Sequence, residues 1–113
     1  MDYFIDAKNK RLGRLASEIA ILLQGKQHPS YEPRLLGNDR VMVKNITSLT
    51  VGGKKFFDKI YYHHTGYPGA LKERSYREVF AKNPRWVLQH AVRLMLPKNR
   101  LRAKRLRRLV IEK

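Results

Sequence analysis

The chain contains no cysteine. That excludes a disulfide framework, a thiolate zinc site and a cysteine nucleophile, and it fits a reducing compartment. Acid is scarce as well, with 9 Asp and Glu against 25 Lys and Arg. No apolar run approaches the roughly 20 residues that span a bilayer. The N-terminus, MDYFIDAKNK, has no apolar h-region and carries an acid at position 2, so it does not read as a signal peptide. Internal repeats and low-complexity linkers are missing too. These absences leave a soluble protein, expected to act in the compartment where it is made and to lie off the membrane.

What is present is charge on a foldable body. The 113 residues suggest one domain, 1–113, and a hydrophobic fraction of 42% supports a packed core. The formal net charge is +16, unevenly placed: residues 1–56 carry +5 and residues 57–113 carry +11. A compact body with this charge repels itself, and binding a polyanion relieves the repulsion. The last sixteen residues, KNRLRAKRLRRLVIEK, hold eight bases and one acid. The bases alternate with Leu101, Leu106, Leu109, Val110 and Ile111. A core helix cannot bury eight unpaired cations, and a disordered tail has little use for those aliphatics. The segment is therefore expected to dock its aliphatics on the body and present its cations outward, to nucleic acid.

Along the chain, Tyr3-Phe4-Ile5 reads as a buried strand. Leu12, Leu15, Ala16, Ile19, Leu22 and Leu23 fall on one helical face, and Gly25 supplies the stop; Arg11, Arg14, Ser17, Glu18 and Gln24 lie off that stripe. Residues 26–39, with Pro29, Pro33 and Gly37, form a loop. Arg40 to Lys44 is a second strand, Ser48 to Val51 a third, and Gly52-Gly53 a turn. Phe56 to His63 is a further strand candidate, followed by a loop at Thr65–Gly69. Ser75 and Glu78 make a capping box for a helix through Ala81. Asn83-Pro84 opens the next helix, which buries Val87, Leu88, Ala91, Val92 and Met95 and ends at Pro97. Asn99 caps a short basic helix, with Leu109 to Ile111 extended after it. This order is α/β, with at least one parallel strand pair.

Catalytic readings are weak. Adjacent residues on a strand face opposite ways, so His63 and His64 cannot readily share a metal, and His28 and His90 show no ligand spacing. A His general base needs an orienting acid, and Asp58 lies too far along the strand. Gly52-Gly53-Lys54-Lys55 lacks the full phosphate-loop pattern. Neither a metal nor a cofactor nor a small-molecule substrate is indicated. Tyr61, Tyr62, Tyr67 and Trp86 can stack on bases, although packing in a core is the commoner fate of such residues. The cations Arg11, Arg14, Lys54, Lys55, Lys59, Lys98, Arg100, Arg102, Lys104, Arg105, Arg107 and Arg108 suit phosphate contacts. Lys26, in the loop after the first helix, joins them. A groove-reading DNA regulator would need a longer basic helix than 99–108.

Four blocks carry a likeness: LGRLAS at Leu12–Ser17, NDRVMVKN at Asn38–Asn45, DKIYYHHTGYPG at Asp58–Gly69 and AVRLMLPKNRL at Ala91–Leu101. Together, in order and nearly without gaps, they resemble the bacterial-type ribosomal protein thirteen of the large subunit. The resemblance implies a single three-layer α/β/α domain around a mainly parallel sheet of about four strands, and the aliphatics of residues 98–113 lead to the expectation that this basic segment docks on it. It implies binding to large-subunit ribosomal RNA, contacts with neighbouring ribosomal proteins, a part in early subunit assembly, no catalysis and no homo-oligomer. The location it implies is the cytoplasmic ribosome, or an organelle matrix for an organelle-encoded copy. Arg11, Arg14, the Lys54-Lys55 turn, His63, His64, Thr65 and Lys98 with the bases after it match positions where the family meets RNA. Leu94, Asn99 and Arg102 stand where the family often has glycine, so the backbone of the last loop is expected to differ.

Overall fold

A computed structural model describes residues 2–52 and 55–112; the Gly52-Gly53 turn and Lys54 fall partly or wholly outside it. The elements in chain order are strand β1 (Asp2–Asp6), helix α1 (Leu12–Gln24), strand β2 (Arg40–Lys44), a 3-10 turn (Ile46–Ser48), the single helical turn α2 (Lys55–Asp58), strands β3 (Ile60–His64) and β4 (Leu71–Ser75), helices α3 (Tyr76–Lys82), α4 (Pro84–Met95) and α5 (Leu101–Leu106), and strand β5 (Leu109–Ile111).

Local signals set most of these bounds. Gly25 closes α1 in the left-handed region at φ 79°. Its N–H bonds Leu22 O and that of Lys26 bonds Ile21 O, so two end carbonyls of the helix are satisfied. Ser75 Oγ accepts from Glu78 N at 3.3 Å at the head of α3. Asn83 Oδ1 accepts from Trp86 N at 3.3 Å at the head of α4, with Pro84 in the first turn, where its missing N–H costs nothing. Asn99 Oδ1 accepts from Leu101 N at the start of α5.

β1, β2 and β5 form a parallel sheet in that order. Its register makes rows across the strands. Tyr3, Val41 and Leu109 lie side by side, as do Ile5, Val43 and Ile111, and these rows face the helices. Leu15, Ile19 and Leu23 of α1 and Val87, Leu88 and Val92 of α4 close the core over them. The intervening row is Phe4, Met42 and Val110. Phe4 is 67% exposed and Val110 38%, so Tyr3-Phe4-Ile5 is buried on one side only and no helix covers this row. Both crossovers step the same way across the sheet, and a right-handed crossover then puts its helix on the same face each time. The described residues thus form two layers here, and the parallel sheet has three strands, within the expected α/β class.

The expected third strand at Ser48–Val51 is not formed: Ser48 ends the 3-10 turn, and only Thr50 pairs, in an isolated parallel bridge to Arg11. Phe56 and Phe57 belong to α2, so the strand expected from Phe56 begins at Ile60. It pairs antiparallel with β4 as a separate hairpin. Gln24, off the apolar stripe, is nonetheless buried and turns its Nε2 back to Ala20 O. Met95, expected inward, is exposed and accepts a hydrogen bond from Ser17 Oγ at 3.4 Å.

The largest departure lies in the basic tail. Arg105 is 1% exposed, although it was expected to face RNA. Its Nη2 donates to the carbonyls of Pro33 and Leu35, at 3.4 and 3.1 Å. Arg108 is half-buried. It donates through Nη1 to Asp39 O and through Nη2 to Leu23 O and Leu36 O, at 3.0, 3.1 and 2.7 Å. Burial pulls its pKa below the usual arginine value, Arg105 adds to that, and Asp39 opposes it. Five carbonyls take the terminal guanidinium nitrogens without a carboxylate in ion-pair contact, and the Nε of each arginine stays buried with no hydrogen-bond partner. Both residues leave the RNA-facing set for this reason. The same loop is tied by Asp39, whose Oδ2 takes Gln27 Nε2 at 2.9 Å and lies 2.6 Å from His28 Nε2. Burial raises the Asp39 pKa, but the hydrogen bond from His28 is among the contacts that outweigh it, and the net shift is downward.

Two outcomes follow. Arg105→Met is expected to lower unfolding stability by about 1–2 kcal/mol, because it removes the donor from two part-buried carbonyls. Arg107→Met, at an exposed position just past the end of α5, should change it by under about 0.5 kcal/mol; urea unfolding of the pair checks both. Asp39, with its pKa held down in the fold, contributes stability that is present above the unfolded value of about 3.9 and lost as pH falls through the lower folded value. Asp39→Asn should therefore be less stable than the parent protein at pH 6, with the gap narrowing below about pH 4 in the same measurement.

Candidate nucleic-acid interface

The distribution of acids decides which cations are free. The ion pairs among the described residues are Asp2–Arg40, Lys10–Glu18 and Glu32–Arg34, and His28 contacts Asp39, all within the first forty residues. Asp6 is occupied by Asn45 Nδ2 and by the N–H of Lys8, and the Asn45 hydrogen bond leads in holding its pKa low. From Lys44 onward no cation among the described residues sits within ion-pair distance of a carboxylate. An unneutralised surface of this kind holds a strong positive potential and steers polyanions.

Three groups of expected site residues can be located. The first is at the head of α1. Arg11 precedes the helix in an extended conformation and is exposed, as is Arg14 one turn later, so the two guanidiniums share a side of the helix. Arg11 lies over Gly52: a side-chain carbon at 52 would sit 3.2 Å from Arg11 Nη1. The Ser17–Met95 contact sets the end of α4 beside this half of α1, which brings the Leu96–Lys98 corner alongside it. Lys98 and Arg100 are exposed there.

The second group is the β3–β4 hairpin. His63, His64 and Thr65 are exposed near its tip, which turns through Gly66 at φ 94° and Gly69 at φ 70°. His64 Nδ1 accepts the N–H of Gly66 at 2.9 Å, so in the neutral ring the proton sits on Nε2 and points away from the turn as a donor. Tyr67 at the tip is 74% exposed. Lys59, at the foot of the hairpin, is half-buried with Nζ 5.3 Å from the Tyr61 ring centre; burial lowers its pKa first and Lys55 second. The hairpin is anchored by Tyr76, which is fully buried, stacks on Phe80 and has its hydroxyl pushed up to about 12 by burial and by Tyr61. Lys55 is exposed on α2, and Lys54 lies outside the described residues.

The third group is what remains of the tail. Lys104 and Arg107 are exposed and Arg102 half-exposed, around the buried Arg105. Lys26 is exposed just past the end of α1. Sequence reasoning missed the cations of β4, α3 and α4, namely Lys72, Arg74, Lys82 and Arg93, which surround a groove beside Trp86 and His90. The signal was present in the off-stripe positions of α4, but their common destination depends on how the hairpin folds back. The His28–Asp39 contact was also missed, since its members stand eleven positions apart in a loop. No group of three His, Cys, Asp or Glu able to hold a metal occurs among the described residues, and none of their helices is long and apolar enough to cross a membrane.

Comparison with known proteins follows the same line. Residues 1–111 match the family described as Ribosomal protein L13. A protein of Clostridioides difficile named large ribosomal subunit protein uL13 is 50% identical over 107 residues, covering 95% of this chain and 75% of its own. Its namesake in Rubrobacter xylanophilus is 50% identical over 109 residues, covering 96% of this chain and 76% of its own. The one in Chloroflexus aggregans is 48% identical over the same shares.

Proposed function

The chain belongs to the Ribosomal protein L13 family, and from that membership we propose that it binds large-subunit ribosomal RNA through the unpaired cations of its surface. As a member of that family it is a structural constituent of the large ribosomal subunit rather than a catalyst. The observation that carries the RNA reading is that the ion pairs among the described residues lie within the first forty, which leaves the cations from Lys44 onward free for phosphate.

The contact set we propose is Arg11 and Arg14 with the Lys98 corner and Arg100, then His63, His64 and Thr65 on the hairpin with Lys54, Lys55 and Lys59 at its base, and Lys26, Arg102, Lys104 and Arg107. Phosphate contacts dominate this set, so it positions the protein and reads RNA by shape. The hairpin tip adds donors that do not depend on charge: the Nε2–H of His64, the Thr65 hydroxyl and the backbone of a glycine turn. Arg105 and Arg108 support it from within, by fixing the 26–39 loop. In the cell the chain acts on the ribosome among neighbouring large-subunit proteins, as one unit with its tail docked, and supports early assembly by holding RNA segments together.

With about eight phosphates neutralised, affinity for large-subunit RNA should fall with a log–log salt slope of roughly −6 to −7. Arg11→Gln with Arg14→Gln should flatten that slope by about 2 without altering thermal unfolding. Filter binding across a salt series measures the slope. Co-sedimentation with the large subunit at moderate salt tests the assignment itself, and recovery only as free protein would defeat it.

A further inference from the structure

Helix α4 buries Val87, Leu88 and Val92, yet its largest side chain is not among them. Trp86 is 38% exposed, and His90 stands one turn further along the same side of the helix. The two rings are stacked, with centres 4.6 Å apart and planes at 12°. Tyr61, reaching across from β3, meets both edge-on, at 5.1 Å and 83° to Trp86 and at 5.6 Å and 84° to His90. The three rings are thereby held in fixed orientations beside an open groove of about 1100 Å³ between the hairpin and helices α3 and α4. That exceeds the upper end of ordinary small-ligand clefts, about 1,000 Å³.

The rim of the groove is cationic. Lys72 and Arg74 come from β4, Lys82 from the end of α3 and Arg93 from the last turn of α4, against the single acid Glu78. None of the four cations pairs with a carboxylate among the described residues. Burial first, and then Arg93 and Lys59, pull the His90 pKa below the usual histidine value.

An aromatic platform inside a cationic rim has the composition of a single-strand nucleic-acid site, where π-faces take bases and cations take the linking phosphates. An acidic peptide would satisfy the rim but leave the ring faces without matching planar partners. We propose that the groove beside Trp86, His90 and Tyr61 receives unstacked nucleotides of single-stranded RNA, their bases against the rings and their phosphates on Lys82, Arg93 and Arg74. This inference rests on the reading of the chain as an RNA binder and deepens it, by adding a site for extruded bases to a surface otherwise built for phosphate.

Trp86 is the sole tryptophan of the chain, so its emission reports on the groove alone. The whole protein is titrated with hexa-adenylate, with inorganic polyphosphate of matched charge and with hexaglutamate, while anisotropy of labelled hexa-adenylate follows binding anywhere on the surface. The expected result is saturable quenching of Trp86 by hexa-adenylate and unchanged emission with the other two. Trp86→Leu should weaken hexa-adenylate binding roughly 5- to 100-fold. Lys82→Gln with Arg93→Gln, both at exposed positions, should weaken the quenching-detected affinity several-fold with unfolding unchanged. Hexa-adenylate binding by anisotropy with no change in Trp86 emission overturns the groove site and leaves the wider RNA reading standing. Quenching by polyphosphate to the same extent overturns it as a mere response to charge, and equal quenching by hexaglutamate reassigns the groove to a protein partner. Failure to bind hexa-adenylate while a large-subunit RNA fragment still binds also overturns it. Failure to bind that fragment defeats the proposed function itself.

Discussion

Two guanidinium groups and five backbone carbonyls hold the parts of this molecule in register. The loop between α1 and β2 runs for about fourteen residues without regular structure, and a loop of that length inside a folded body has carbonyls that need donors. Arg105 and Arg108 supply them, from the far end of the chain. The arrangement is reciprocal: while the Arg108 side chain binds Asp39 O, its own backbone carbonyl accepts the N–H of Val41 at 3.1 Å, the step that leads β5 into its pairing with β2. Loop, central strand and C-terminal strand are therefore positioned by one set of contacts. A lysine in place of Arg108 could not reproduce the geometry, because its single ammonium lacks the planar fork whose two nitrogens reach three carbonyls at once.

The same economy explains the surface. The acids are concentrated on local tasks in the first forty residues, and Asp39 has the most demanding one, inside the loop. The second half of the chain contains few acids and has no described ion pair, so its cations remain available. A protein with its bases neutralised in place would be more stable alone and less useful to a polyanion. The hairpin fits this division of labour. It is not part of the parallel sheet, it hangs from α3 through Tyr76 and Phe80, and it carries mostly exposed polar residues toward its tip.

Much of the local structure was legible in the residues. The stripe of α1 with Gly25, the Ser75–Glu78 box and the Asn83-Pro84 pair each encode their element within a few positions, and each appears in the fold. Readings failed where the deciding partner is distant. Ser48–Val51 has strand-like composition, yet the position beside β2 is taken by β1 on one side and β5 on the other. Arg105 looks solvated in sequence, because nothing nearby signals that carbonyls some seventy positions earlier will receive it. The candidate site divides in the same manner. The hairpin motif and the α1 arginines could be named from their residues, whereas the cations around Trp86 share a destination only once the hairpin has folded back on α4.

The strand order β1-β2-β5 also imposes a sequence of events in time. β1, α1 and β2 are contiguous and can assemble as a local unit, but the central strand keeps one open edge until Leu109 to Ile111 arrive from the other end of the chain. Closing that edge carries the entropic cost of a long loop, which slows the step relative to the local ones. Until then the carbonyls of the 26–39 loop lack their arginine donors, and both the edge of Val41–Val43 and the loop stay open to water. The C-terminal strand thus acts as a lock. The fold reaches its final rigidity only when its most basic segment has been drawn in, and from that moment the segment's remaining cations are fixed in space.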